Sequence, residues 1–219
     1  MTAKQIAIDG PAGAGKSTIA KMLAQHLGYV YIDTGAMYRA VALLAQRRAV
    51  SPEDQIALAS LVQEARIRLD RNGHVFLNGE DVTQEIRLPE VGNMASAVSA
   101  VAAVREALVR QQREMASQQG VVMDGRDIGT VVLPQADCKI FLTASSRVRA
   151  ERRTKELLEK GLSADLEQIQ REIEERDYRD SHREISPLRQ AEDAFLLDSS
   201  ELDIPQVLEK MISLAEAKL

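Results

Sequence analysis

The sequence predicts an α/β fold: a sheet of short apolar strands flanked by helices, with a small antiparallel β insert and a charged helical pair. Three observations predict it. Short apolar runs at residues 4–9, 29–32, 120–124, 138–143 and 194–198 are separated by stretches with helical spacing of apolar side chains. Between the first run and the first helix lies Gly10-Pro11-Ala12-Gly13-Ala14-Gly15-Lys16-Ser17. Finally, an alternating block broken by Asn72-Gly73 and Asn78-Gly79 interrupts the βα rhythm.

Gln5-Ile6-Ala7-Ile8-Asp9 reads as a short buried strand. From Ser17 to Leu27, Ile19, Leu23 and Leu27 share a helix face, and Gly28 is placed to end it. The second strand runs into Asp33-Thr34-Gly35, a turn with a helix cap, and residues 36–46 are helical. Ser51-Pro52-Glu53-Asp54 opens a further helix to about Glu64. Residues 65–70 alternate, Asn72-Gly73 turns the chain, and residues 74–77 answer. Asn78-Gly79-Glu80-Asp81 turns it again before Val82 and Thr83. This meander is too small to stand as a domain.

Pro89 is expected to stop any helix in the irregular stretch 85–90, and residues 91–117 to form one long helical region. Apolar on both faces, residues 120–124 suit a buried strand, as do 138–143 and 194–198. Residues 145–189 are charged and helical, broken at Gly161-Leu162-Ser163-Ala164, and an amphipathic helix closes the chain. The whole reads as one domain, 1–219. Its core is 1–61, 96–144 and 190–219, its insert about 62–95, and its lid region about 145–189.

The glycine-rich stretch fits the pattern of Gly, four residues, then Gly-Lys-Ser. Glycines let the backbone wrap phosphate oxygens and aim N–H groups at them, and the helix N-terminus adds partial positive charge. Lys16 is a point charge for β- and γ-phosphates, and the Ser17 hydroxyl is a ligand for Mg²⁺. A nucleoside triphosphate is therefore expected; the loop does not say what receives its phosphate. Ligands of α/β sheets sit beyond the carboxyl ends of strands, which brings Asp33, Thr34, Tyr38 and Arg39 to the loop's edge. Asp124-Gly125-Arg126-Asp127-Ile128-Gly129-Thr130 ends another strand. Two acids and an arginine are costly to bury there unless they bind something. Asp124 is placed to meet Mg²⁺ directly or through its water shell. The alternative is a turn cap at Asp124 and an Arg126–Asp127 pair.

Composition excludes several classes. A net charge of −5 and 3% aromatic content argue against a broad nucleic-acid surface or a base-stacking platform. Cys138 is the single cysteine, read as a core residue, so there is no intrachain disulfide or multi-cysteine zinc site. His26, His74 and His182 lack ligand spacing. No apolar run approaches the roughly 20 residues of a membrane span. The chain enters a strand almost at once, leaving no room for a signal peptide, so the cytoplasm is the expected location. Nothing demands more than a monomer.

On the charged pair, Arg147, Arg149, Arg152 and Arg179 read mostly as a solvated, ion-paired face. Arg153 and the set Arg176, Asp180 and Arg183, which share one helix face, read as functional, because guanidinium forks stabilise a phosphoryl group in transfer. A charged helical hairpin between two strands also suits a lid.

Together these motifs resemble the nucleoside monophosphate kinases, most closely the bacterial cytidylate kinases. The resemblance rests on the glycine-rich loop with Thr18, on Asp33-Thr34-Gly35-Ala36-Met37-Tyr38-Arg39, and on the segment 124–130. Glu175-Arg176-Asp177-Tyr178-Arg179-Asp180 and the insert around Asn78-Gly79-Glu80-Asp81-Val82 and Glu85-Ile86-Arg87 add to it. It implies the P-loop kinase fold: a five-stranded parallel sheet with helices on both sides, a monophosphate-binding insert and a lid. It also implies transfer from ATP to CMP or dCMP with Mg²⁺. Gly10, Pro11, Ala12, Gly13, Ala14, Gly15, Lys16, Ser17 and Thr18 would hold ATP. Thr34, Ser96, Arg105 and Asp127 would surround the cytosine, with Tyr38 nearby. Arg39, Arg126 and Arg183 would hold the acceptor phosphate, Arg176 and Asp180 the sugar region, and Arg153 would come from the lid. The family pattern commonly has Ser where Thr34 stands; the hydroxyl is kept.

Two other readings use the same residues. A kinase of this fold acting on UMP or on a metabolite hydroxyl would need, for the hydroxyl, a base such as Asp124 or Asp33. A nucleotide-dependent switch would need a base-reading motif, and no Asn-Lys-x-Asp is present.

Overall fold

The computed structural model describes residues 3–70 and 73–219. The first part of the chain runs β1 (Gln5–Asp9), α1 (Lys16–Leu27), β2 (Val30–Asp33), α2 (Thr34–Arg47), α3 (Gln55–Glu64), β3 (Ile67–Leu69), β4 (Val75–Leu77) and β5 (Glu80–Asp81). A 3₁₀ turn (Glu85–Arg87) leads to α4 (Pro89–Val98), α5 (Ala102–Ser117) and β6 (Val121–Gly125). After a π turn (Ile128–Val132) come β7 (Cys138–Thr143), α6 (Ser146–Glu159), α7 (Leu166–His182), β8 (Phe195–Asp198) and α8 (Ile204–Glu216).

The five main strands form one parallel sheet in the order β2-β6-β1-β7-β8. Strand alternation sorts their side chains between two core layers. Ile6 and Ile8 pack with Leu23 of α1 and Met211 of α8 on one face. Ala7 and Met123 pack with Met37 and Val41 of α2 and Leu108 of α5 on the other. Burying each such large side chain contributes about 1.5–3 kcal/mol. The register sets the site: Asp9 lies beside Gly125, and Asp33 beside Asp124, all at carboxyl ends. A Cβ on Gly10 would lie 1.9 Å from the Leu142 carbonyl oxygen, so only glycine lets the chain leave β1 there.

The insert is an antiparallel sheet in the order β3-β4-β5, whose Ile67, Val75 and Leu77 join the α2 side of the core. Asn78 (φ 52°) and Gly79 (φ 91°) alone make its second turn, as a two-residue hairpin requires. The third strand therefore begins at Glu80, earlier than the sequence suggests. Part of the Asn72-Gly73 turn lies outside the described residues.

Pro89 starts a helix instead of stopping one. At the first helical position its missing N–H has no partner to lose, and its fixed φ suits the helix. The expected single helix over 91–117 is two, because the chain leaves helical geometry at Val101 (φ −80°, ψ 120°), the N-cap of α5. The helical pair α6–α7 is present, with Ser145 and Asp165 as N-caps, but α7 ends at His182. Arg183 (φ −64°, ψ 143°) turns extended as its C-cap, so the helix expected to reach 189 stops short and Arg183 lies past the helix face that carries Arg176 and Asp180. No described helix is long and apolar enough to cross a membrane.

Candidate functional site

The phosphate loop joins β1 to α1, with Gly13 (φ 76°) and Gly15 (φ 87°) in left-handed geometry. Lys16, the first residue of α1, is buried, and its Nζ donates to the Pro11 carbonyl at 2.7 Å. Burial, with Arg126 adding, pushes Lys16 down to about 7, against the pull of Asp124 and Asp9. Ser17 donates its hydroxyl to Asp124 Oδ2 at 3.0 Å, and Tyr31 donates to Oδ1 at 2.8 Å. Burial and the neighbouring Asp33 push the Asp124 carboxyl up to about 6, although Lys16 and these two bonds oppose the rise. Asp124 is thus no turn cap. A hydroxyl and a carboxylate oxygen in contact, with Asp33 near, are the hard donors that suit Mg²⁺.

Arg126 pairs with Asp180 of α7 (Nε–Oδ2, 2.9 Å) rather than with Asp127. Arg39 donates to the Ile86 carbonyl at 3.1 Å, and burial, with the charges of Arg87, Arg126 and Arg153, holds it below its ordinary value. Arg176 is pushed down to about 10 by burial and by Arg126, and its buried Nε has no hydrogen-bond partner. Arg153 is half exposed and pairs with Glu156 at 2.8 Å. Lys16, Arg39, Arg126, Arg153 and Arg176 thus form a mutually repelling cluster around the open edge of the phosphate loop. Such a cluster is a ready anion site.

A second group lies beyond it. Asp127 is 4% exposed and is bound by Arg105, with Arg183 Nη2 at 3.8 Å from its other oxygen. The Arg105 guanidinium lies over the Tyr38 ring, 5.3 Å from its centre. Three buried polar atoms here, Tyr38 OH, Arg105 Nε and Arg183 Nη2, have no hydrogen-bond partner. Unsatisfied buried donors in one place mark a polar ligand site. Arg105 also donates to the Ser99 carbonyl at 3.0 Å, so the break between α4 and α5 sits beside this group. Ser96 is half buried one turn earlier on α4. Thr34 donates its hydroxyl to the Asp124 carbonyl at 2.7 Å, which ties α2 to β6. Arg183 caps α7 and donates through Nε to the Ser186 carbonyl.

Residues missed in the sequence complete the geometry. Arg149 is not solvated: it is 5% exposed and donates to the Ala144 and Ala12 carbonyls (both 2.9 Å) and to Asp177 (2.6 Å). One guanidinium therefore joins the phosphate loop to α7. Arg152 likewise bonds Ser199. Among several arginines in one short segment, composition cannot tell which turns inward. Asp9 is buried, and burial pushes its carboxyl up to about 6 despite bonds from Gly129 and Ile128. Its place at a strand's end, one residue before Gly10, was the available signal.

Comparison with known proteins gives the family. The family model described as cytidylate kinase matches residues 6–217. The chain belongs to the cytidylate kinase family. It is 57% identical over 215 residues to the cytidylate kinase of Desulforamulus reducens, with 97% of each chain covered. With the cytidylate kinase of Leuconostoc mesenteroides it shares 53% identity over 219 residues, covering 99% of this chain and 98% of that one. Among solved structures, shikimate kinase from Bacteroides thetaiotaomicron superposes with a TM-score of 0.51 at 14% identity, covering 97% and 98% of the two chains. At that identity the likeness concerns the fold alone, which is the P-loop kinase fold.

Proposed function

We propose that this protein is a (d)CMP kinase, moving the γ-phosphoryl group of ATP to CMP or dCMP and yielding ADP with CDP or dCDP. The observation that carries the acceptor is the buried Asp127 carboxylate, gripped by Arg105 beside unpartnered donors and one short segment away from Asp124 of the phosphate-loop site. Cytosine presents an amino donor where uracil presents a carbonyl. An ionised Asp127 accepts from the amino group and repels the carbonyl, so the wrong base leaves a buried charge unpaired. Thr34, Ser96 and Tyr38 complete the base pocket in this reading.

The phosphate loop, 10–17, with Thr18 holds ATP. Arg39, Arg126 and Arg183 hold the acceptor phosphate, while Arg176 and Asp180 meet the sugar. The attacking oxygen belongs to a phosphate and is already ionised, so no general base is required. Lys16, Arg126, Arg153 and Arg183 stabilise charge spread over the equatorial oxygens in transfer. Ser17, and Asp124 directly or through water, would hold Mg²⁺, which would supply Lewis-acid charge neutralisation to the triphosphate. Residues 145–189 serve as the lid that excludes water, and 62–95 as the acceptor-binding insert, on a core of 1–61, 96–144 and 190–219. A monomer in the cytoplasm, where both nucleotides are found, goes with this reading.

ATP consumption with Mg²⁺, measured against CMP, dCMP, UMP, AMP, GMP and no acceptor, tests it. Strong turnover with CMP and dCMP and weak turnover with UMP is the expected result. A purine preference would overturn the base site, and acceptor-independent hydrolysis would overturn kinase activity altogether.

A further inference from the structure

Asp9 lies at the carboxyl end of β1, one residue before the phosphate loop, and contacts no group assigned above to the acceptor base. Its side chain nonetheless makes two strong bonds. Oδ1 accepts the Ile128 backbone N–H and Oδ2 the Gly129 backbone N–H, both at 2.7 Å. Asp9 is 4% exposed, so each bond is charge-assisted and shielded from water. Those two amides are the first of the π turn, and Asp127 is the residue immediately before them (φ −145°, ψ 25°). The turn is held at its other end by Val131 and Val132, whose N–H groups donate to the Asp127 carbonyl at 2.8 and 3.1 Å. π turns are frequent at functional sites. Here the backbone of Asp127 is fixed by its own carbonyl on one side and by Asp9 on the other. Its carboxylate is thereby delivered to Arg105 and Arg183.

Gly129 is fitted to the same clamp. Its backbone needs no special conformation, yet a Cβ there would lie 3.3 Å from Asp9 Oδ2 and 3.1 Å from Lys139 Cδ. A side chain here would be tight against both Lys139 and Asp9, so the close approach of this backbone, not a turn, favours the glycine.

We infer that Asp9 is a positioning residue for acceptor specificity: it clamps the turn that aims Asp127, and so links the start of the phosphate loop to the reading of the base. This rests on the proposal that Asp127 reads cytosine. An asparagine at position 9 has nearly the same shape but presents an NH₂ to one of the two amides. The turn then loses one bond, keeps the other without its charge assistance and gains a donor–donor contact, and Asp127 shifts against Arg105.

The test is steady-state kinetics of the full chain and of Asp9→Asn, with CMP and UMP as acceptors and ATP varied separately. For the variant we expect KM for CMP to rise about tenfold or more and the CMP-to-UMP ratio of kcat/KM to fall by a similar factor. KM for ATP should stay within about twofold of the parent. Gly129→Ala approaches the clamp from the other side and should shift the same ratio in the same direction; it decides the matter if Asp9→Asn does not fold. An equal loss with both acceptors, or no change in the ratio in either variant, would overturn the role of Asp9. A parent chain with no preference for CMP over UMP would overturn the reading of Asp127, and that of Asp9 with it, before any variant is made.

Discussion

Arg126 Nε and Asp180 Oδ2 lie 2.9 Å apart, joining the end of β6 to α7 across an otherwise self-repelling cationic cluster. Burial alone would raise the Asp180 carboxyl, but Arg126, Arg176 and Arg183 hold it below its ordinary 3.8. A carboxylate with a depressed folded pKa contributes stability that is present above its unfolded pKa and is lost as pH falls through the folded value. Asp180→Asn should therefore be less stable than the parent at pH 7, by on the order of 2 kcal/mol or more, since it leaves Arg126 buried among like charges. The gap should persist down to about pH 4 and close below it as the parent's carboxyl protonates. Urea denaturation of both chains from pH 7 to pH 3 checks this; a pH-independent gap would contradict it.

Lys16 illustrates stability given up for function. Burial lowers it to about 7 in the nucleotide-free protein, so its charge destabilises the fold; that cost is full below about pH 7 and gone above its ordinary 10.5. Lys16→Met should lower kcat/KM by on the order of 10²–10³-fold, the effect of removing one oxyanion donor. Its melting temperature at pH 7 should equal or exceed the parent's. Thermal melts and kinetics on the same preparation separate lost chemistry from lost folding.

Arg149 carries the connection between the phosphate loop and α7. Arg149→Ala should raise KM for ATP by about tenfold or more and, if α6–α7 serve as the proposed lid, increase ATP hydrolysis relative to transfer, because the helical pair loses its anchor at Ala12. Measuring phosphate release with and without acceptor distinguishes this from a stability defect, which would lower both equally.

Asp124→Asn should raise the Mg²⁺ concentration needed for half-maximal rate by about 10-fold or more, the cost of losing a charged oxygen donor in or near the metal shell. KM for CMP at saturating Mg²⁺ should change little. A Mg²⁺ titration of parent and variant gives the answer directly.

Much of the fold was readable because its signals are local. The phosphate loop, the strand runs and the Asp33 cap each declare themselves within a few residues. Pro89 misled because a proline both stops and starts helices, and only the preceding extended Leu88 (φ −62°, ψ 144°) settles which. Side-chain destinations across the fold were less legible. Arg126 sits next to Asp127 in sequence, yet it pairs with Asp180, and Asp127 pairs with Arg105. Arg149 and Arg153 lie four residues apart, but one is buried against the loop and the other half exposed. The partners that Arg126, Asp127 and Arg149 find across the fold are 22 to 137 residues away, beyond any periodicity.

The ratio of kcat/KM for CMP to that for UMP, in the parent and in Asp127→Asn, tests most directly whether the Asp127–Arg105 pair selects the acceptor. The parent should prefer CMP strongly, and the variant should lose on the order of 10²-fold or more of that preference, chiefly through CMP. Equal use of both nucleotides by the parent, or an unchanged ratio in the variant, would contradict it.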